Sequence, residues 1–153
     1  VKAMLLLILA RRPRLMILDE PTNGLDPVAK SEVISALMDA IRDESRTILF
    51  SSHNTQDVEQ ICDTITFVDR GRVIASDHRD AFLSQWRRLK LRVPPDWQAP
   101  APLGLREEAA FGSLRVMLTD HHQPGIEERL EASGAAVEDS ESMTLEEIFV
   151  AAV

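Results

Sequence analysis

The sequence predicts an α/β fold in two parts: a parallel sheet with flanking helices, then a small α+β domain. Three observations carry this. Two short apolar runs, Leu15-Met16-Ile17-Leu18 and Thr47-Ile48-Leu49-Phe50, each break off into polar residues, Asp19-Glu20-Pro21 and Ser51-Ser52-His53. Between them Val33, Ile34, Leu37, Met38 and Ile41 recur at the spacing of one helix face. After residue 93 the pattern changes, because Pro94, Pro95, Pro100 and Pro102 place half of the eight prolines in one stretch. Such a stretch is a linker or an irregular connection.

The elements follow in chain order. The apolar run Ala3 to Ala10, closed by Arg11 and Arg12, predicts a buried helix that begins at residue 1 without a cap. It falls far short of the roughly 18 residues a bilayer span needs, and no small-residue cleavage site follows it. Leu15 to Leu18 reads as a strand buried on both faces. Asp26-Pro27 reads as an N-cap with proline at the first helical position, opening a helix to about Glu44. Thr47 to Phe50 is a second buried strand, so strand, helix and strand form a βαβ unit with a right-handed parallel crossover. A short helix is expected over 55–62. Two strands, 64–68 and 72–75, flank a turn at Arg70-Gly71, and a helix over 78–89 puts Phe82, Leu83 and Trp86 on one face. Beyond it come strands at 89–93, 114–118 and 135–137, with helices at 126–132 and 145–150. The domain boundary is expected at 88/89, with the proline-rich connection spanning 94–102.

Charge is uneven along the chain. Lys and Arg number 17 against 25 Asp and Glu, a net charge of −8. Residues 1–90 hold 13 basic and 13 acidic side chains, whereas residues 91–153 hold 4 and 12. That balance excludes a general nucleic-acid or anionic-membrane binder, which needs a basic face. One cysteine, Cys62, excludes an internal disulfide framework and fits a reducing compartment. The glycines exclude something more specific. A phosphate-cradling P-loop, GxxxxGK[ST], needs two glycines five apart and a Gly-Lys pair. Gly24, Gly71, Gly104, Gly112, Gly125 and Gly134 supply neither.

Ligands of open α/β sheets gather at the carboxyl ends of the strands, and two such ends carry residue types suited to phosphoryl chemistry. Asp19 can hold Mg²⁺ through its water shell, since magnesium prefers hard oxygens and keeps several waters. Glu20, one residue on, can polarise an attacking water. His53 can hydrogen-bond a terminal phosphate oxygen or orient that water. Taken by itself, an apolar run followed by Asp-Glu is equally well a strand exit with solvated acids.

The longer string adds to this. LMILDEPTNGLDP, then TILFSSH with His53 placed 33 residues after Glu20, resembles the ATP-binding subunits of ABC transporters, specifically the C-terminal half of that P-loop NTPase-like sheet. The resemblance covers residues 1 to about 76. It extends more loosely to Leu145-Glu146-Glu147-Ile148-Phe149, since many exporter ATPases end in a small domain with such a segment. It implies that Asp19 is the magnesium-linked Walker B residue, Glu20 the catalytic base and His53 the switch histidine. Asn23-Gly24-Leu25-Asp26 matches the D-loop, which sits at the interface between two such subunits; the same residues also read as a tight turn into a helix, capped by Asp26. ATP and Mg²⁺ are the implied cofactors. A membrane permease and a second ATPase subunit are the implied partners, with the protein cytoplasmic and peripheral on the inner face of the membrane. The P-loop, Q-loop and LSGGQ motif of the family are absent, and Val1 to Arg12 matches the helix that follows LSGGQ. Without a P-loop there is no backbone nest for the phosphates, so the chain alone is expected to be inactive. The alternative is a truncated, non-catalytic interaction or regulatory module.

Other features read as structural. Adjacent His121 and His122 point apart in an extended chain, with no ligand cluster beside them. Cys62 reads as a small core residue at a helix end. The basic run Trp86 to Arg92 reads as the polar face of a helix entering a strand. The acidic tail from Glu127 to Glu147 reads as solvated surface, with Thr144 capping the last helix.

Overall fold

A computed structural model describes residues 2–153, apart from the side chains of Lys2, Ala3, Leu6 and Pro102. The expected start of the first helix at Val1 lies outside the described residues. The chain divides into two compact units, Val1–Cys62 and Asp63–Val153.

The first unit contains α1 (Lys2–Ala10), β1 (Leu15–Asp19), α2 (Pro27–Ile41), β2 (Thr47–Ser51) and α3 (Thr55–Ile61). β1 and β2 pair in parallel, from Leu15 opposite Thr47 to Asp19 opposite Ser51, as the βαβ pattern predicts. Because side chains alternate along a strand, Met16, Leu18, Ile48 and Phe50 face inward. Leu5, Val33, Leu37 and Ile61 form the buried centre, with Leu18, Ile48 and Phe50 packed against it.

Two expectations for this unit are corrected. The strands are not buried on both faces: Leu15, Ile17 and Leu49 are 56%, 71% and 61% exposed, since the described helices of this unit cover one face of a two-stranded sheet. Nor is α1 buried all round. Leu5 faces the core while Met4 and Leu7 are exposed, because one side of the helix has a packing partner.

The second unit opens with the hairpin β3 (Thr64–Asp69) and β4 (Arg72–His78). Its turn residues Arg70 and Gly71 both have positive φ, the twist a two-residue hairpin turn requires. α4 (Arg79–Gln85) leads into β5 (Arg87–Arg92), followed by a 3-10 turn at Ala101–Leu103. Then come β6 (Arg106–Phe111), β7 (Leu114–Thr119), α5 (Ile126–Ala132), β8 (Ala136–Ser142) and α6 (Leu145–Ala152). β5 is central in a four-stranded antiparallel sheet ordered β6-β7-β5-β8. Leu89 and Leu91 of β5 point into a core with Met117, Ile126 and Leu130.

The helix expected to run to Leu89 stops at Gln85, because pairing with β7 and β8 claims Arg87–Arg92 as strand. Aromatic packing within this unit reaches back to its first strand. Phe67 of β3 lies 5.1 Å from the Phe82 ring of α4 and 5.5 Å from that of Phe149 in α6, which ties β3 and α4 to the end of the chain.

Three cations of the basic run are matched by acids of the same unit. Arg88 pairs with Glu108 and Glu147, Lys90 with Asp139 and Glu141, and Arg92 with Glu138. Three of the eight acids in the stretch read as a solvated tail, Glu138, Asp139 and Glu141, therefore lie on β8 and pair with these cations. Thr144 caps α6 as expected, in a reciprocal capping box with Glu147. Among the described residues no helix is long and apolar enough to cross a membrane.

Candidate functional site

The parallel register of β1 and β2 brings both carboxyl ends to one edge, with Asp19 directly opposite Ser51. The Ser51 hydroxyl donates to Asp19 Oδ1, which fixes the carboxylate at the mouth of the sheet. The Glu20 backbone N–H donates to the Ser51 carbonyl at 3.1 Å, continuing the ladder one residue past the strand. Glu20 itself has φ of 45°. A non-glycine residue in the left-handed region is strained, at a cost on the order of 1–3 kcal/mol, and such residues cluster at functional sites.

That backbone conformation turns the Glu20 side chain toward the second strand end. Glu20 Oε1 accepts from the His53 backbone N–H at 2.9 Å and pairs with His53 Nδ1 at 2.8 Å. The two residues thus form a dyad across the sheet edge, and the His53 ring remains largely solvent-accessible. Asn54 then caps α3 by accepting from the N–H groups of Gln56 and Asp57, so the histidine sits immediately before a helix start.

Asn23-Gly24-Leu25-Asp26 forms the turn between β1 and α2. The Asn23 N–H donates to the Glu20 carbonyl at 3.1 Å, and Gly24 takes φ of +70° with open space around it. The Asp26 carboxylate accepts from Val28 and Ala29 N–H at 3.0 Å each. It is the α2 N-cap, as the sequence suggests.

The structure therefore brings Asp19, Glu20 and His53 together at one edge, with the 23–26 turn beside them. A cavity of about 160 Å³ is lined by the Glu20–His53 pair, residues 22–25, Lys30 and Asp57. Thr22, Lys30, Asp57 and Ser51 belong to this neighbourhood and were not singled out from sequence. The one available signal was Asp57 sharing a face of α3 with Ile61, four residues on, which marks it as inward-facing. His121 pairs with Asp120, and burial, then the nearby Arg87 charge, lowers the His122 pKa. No group of three or more ligating side chains able to hold a metal occurs among the described residues. The donor set at the sheet edge is one fixed carboxylate beside a second, all hard oxygen. That suits a magnesium ion retaining most of its waters rather than one caged by protein.

The family model described as "AAA domain, putative AbiEii toxin, Type IV TA system" matches residues 2–56. The chain is 37% identical over 75 residues to the thiamine import ATP-binding protein ThiQ of Rhizobium meliloti, covering 49% of this chain and 32% of ThiQ. It is 25% identical over 155 residues to the ABC transporter ATP-binding protein YtrB of Bacillus subtilis, covering 96% of this chain and 51% of YtrB. It is 32% identical over 125 residues to the fluoroquinolones export ATP-binding protein MT2762 of Mycobacterium tuberculosis, covering 76% and 40%. The chain thus spans about half, or less, of these curated relatives. These relatives are ABC transporter ATP-binding proteins, the family that the strand-end motifs of this chain resemble.

Proposed function

We propose that the chain is the C-terminal part of the ATP-binding and ATP-hydrolysing subunit of an ABC-type exporter. The observation that carries this reading is the Glu20–His53 dyad, built by two parallel strand ends and fixed by two contacts on one carboxylate oxygen. In this reading Glu20 polarises the attacking water and His53 holds Glu20 and the terminal phosphate in line. Asp19 would hold Mg²⁺, and the ion would supply neutralisation of phosphate charge when bound. Residues 23–26 meet a second ATPase subunit, and the assembly works on a membrane permease from the cytoplasmic side. The export direction is favoured because the export-named relative aligns over 76% of the chain, whereas the import-named one aligns over 49%. We place the end of the ATPase segment at about residue 88, before an accessory domain at 89–153; the ThiQ alignment of 75 residues, longer than the 62-residue first unit, is in keeping with an ATPase segment that extends past Cys62.

Without a phosphate cradle the 153-residue chain hydrolyses ATP no faster than its Glu20→Gln variant. Glu20-dependent turnover by this chain would overturn that expectation. The same missing cradle favours the second reading, a non-catalytic interaction module. The DNA upstream of the first codon separates the two: an in-frame P-loop and LSGGQ motif support the ATPase, and their absence supports the module.

A further inference from the structure

Asp57 lies on α3, four residues beyond His53, and is 1% exposed. A carboxylate taken out of water is tolerated when both oxygens are satisfied. Here Oδ2 accepts the Thr22 hydroxyl at 2.7 Å, and Oδ1 pairs with Lys30 Nζ at 2.7 Å. Thr22, itself buried, stands just before the 23–26 turn, and Lys30 stands in the first turn of α2 just after it. One carboxylate therefore ties both ends of that turn to the helix that begins beside His53. The Asn54 cap fixes the start of that helix through the N–H of Asp57 itself.

Stability alone is a weak reason for this arrangement. Apolar replacement of a buried ion pair is often neutral or stabilising, and the neighbouring core of Val33, Leu37 and Ile61 is apolar. The network instead joins two functional segments. Glu20, at the start of the turn, already contacts His53, and the triad, which lines the same cavity, adds a second link between the same two segments.

We propose that Thr22, Asp57 and Lys30 are positioning residues, a triad centred on a buried carboxylate that holds Asn23–Asp26 in register with the Glu20–His53 pair. A displacement of the turn is then passed to α3 and to His53. This rests on the reading of 23–26 as the loop that meets a second ATPase subunit, and it is tested without ATP hydrolysis.

Amide hydrogen exchange and His53 ring NMR shifts are compared for the 153-residue chain and its Thr22→Val, Lys30→Met and Thr22→Ser variants. Thr22→Val is nearly isosteric, and Thr22→Ser keeps the hydroxyl. In Thr22→Val and Lys30→Met the amides of Asn23, Leu25 and His53 are expected to exchange about tenfold faster, as loss of a charge-assisted hydrogen bond implies. The His53 ring signals shift, the Leu37 amide in α2 keeps its protection, and Thr22→Ser behaves as the parent chain. Unchanged turn and His53 signals overturn the proposal. So does acceleration of the Leu37 amide in equal measure, which would mark the triad as a global support. Failure of the ATPase reading shows separately, as turnover that survives Glu20→Gln in a P-loop-bearing polypeptide.

Discussion

In the first unit the outward face of the parallel pair is apolar, with Leu15, Ile17 and Leu49 exposed. In the second, the face of β5 away from the core carries Arg88, Lys90 and Arg92, each matched by an acid on β6, β8 or α6. The second sheet is finished within its own unit, with apolar side chains under α5 and paired charges toward water. The first has a covered face and an uncovered one, and its polar groups gather at one edge. A unit that concentrates its polar chemistry at a sheet edge is organised around a site, whereas one that pairs its charges across a sheet is organised around its own stability.

Core truncations probe this contrast most strongly. Leu37 in the first unit and Leu130 in the second are both 0% exposed, and replacing either with Ala costs about 2–5 kcal/mol. Denaturant unfolding followed through amides of the truncated unit measures each loss. A loss well under 1 kcal/mol for Leu37→Ala would mean that the first unit has no consolidated core. Removing the cap at α6 comes next: Thr144→Ala takes away the hydroxyl that accepts the Glu147 N–H, while the backbone N–H of residue 144 can still donate to Glu147, and lowers stability by about 1 kcal/mol.

The paired charges make a pH prediction. The Arg88 guanidinium, then the Thr144 backbone N–H, hold the Glu147 carboxyl at about 2, against an ordinary value of 4.5. A carboxyl whose folded pKa lies below its unfolded one stabilises fully above the unfolded value and loses that contribution as pH falls through the folded one. Melting temperatures of the parent chain should therefore drop between about pH 4.5 and 2, and Glu147→Gln should make that drop shallower. Asp139, lowered chiefly by its bond to Lys90, leaves a residual slope in the variant. An unchanged slope would show that the Arg88–Glu147 pair adds nothing measurable. The smallest effect is expected on the uncovered face, where Ile17→Thr changes stability by no more than about 0.5 kcal/mol in denaturant unfolding.

Much of this was legible in the sequence because it rests on local rules. The strand ends at Asp19 and Ser51, the Asp26 and Thr144 caps and the hairpin turn at Arg70-Gly71 follow from residue type and spacing. Other features depended on partners distant in sequence. β6, Arg-Glu-Glu-Ala-Ala-Phe, has no apolar alternation and becomes a strand by pairing with β7. β8 runs on to Ser142 because its acids meet the cations of β5, although they read locally as solvated surface. Exposure of Leu15, Ile17 and Leu49 could not be read from an apolar run, since such a run states what could be buried and not what is present to cover it. At the site, the shared face with Ile61 is the one local sign that Asp57 points inward, and its partners Thr22 and Lys30 are 35 and 27 residues away in sequence.

We propose Glu20 as the base of an ABC-type ATPase site at two parallel strand ends. The most direct test of that role places Glu20→Gln in a polypeptide that joins this chain to its P-loop-bearing segment, and measures ATP turnover and nucleotide binding side by side. Loss of a general base predicts turnover lower by about 10²–10⁴-fold with binding retained. Turnover close to that of the parent would remove Glu20 from the role of base and contradict the account.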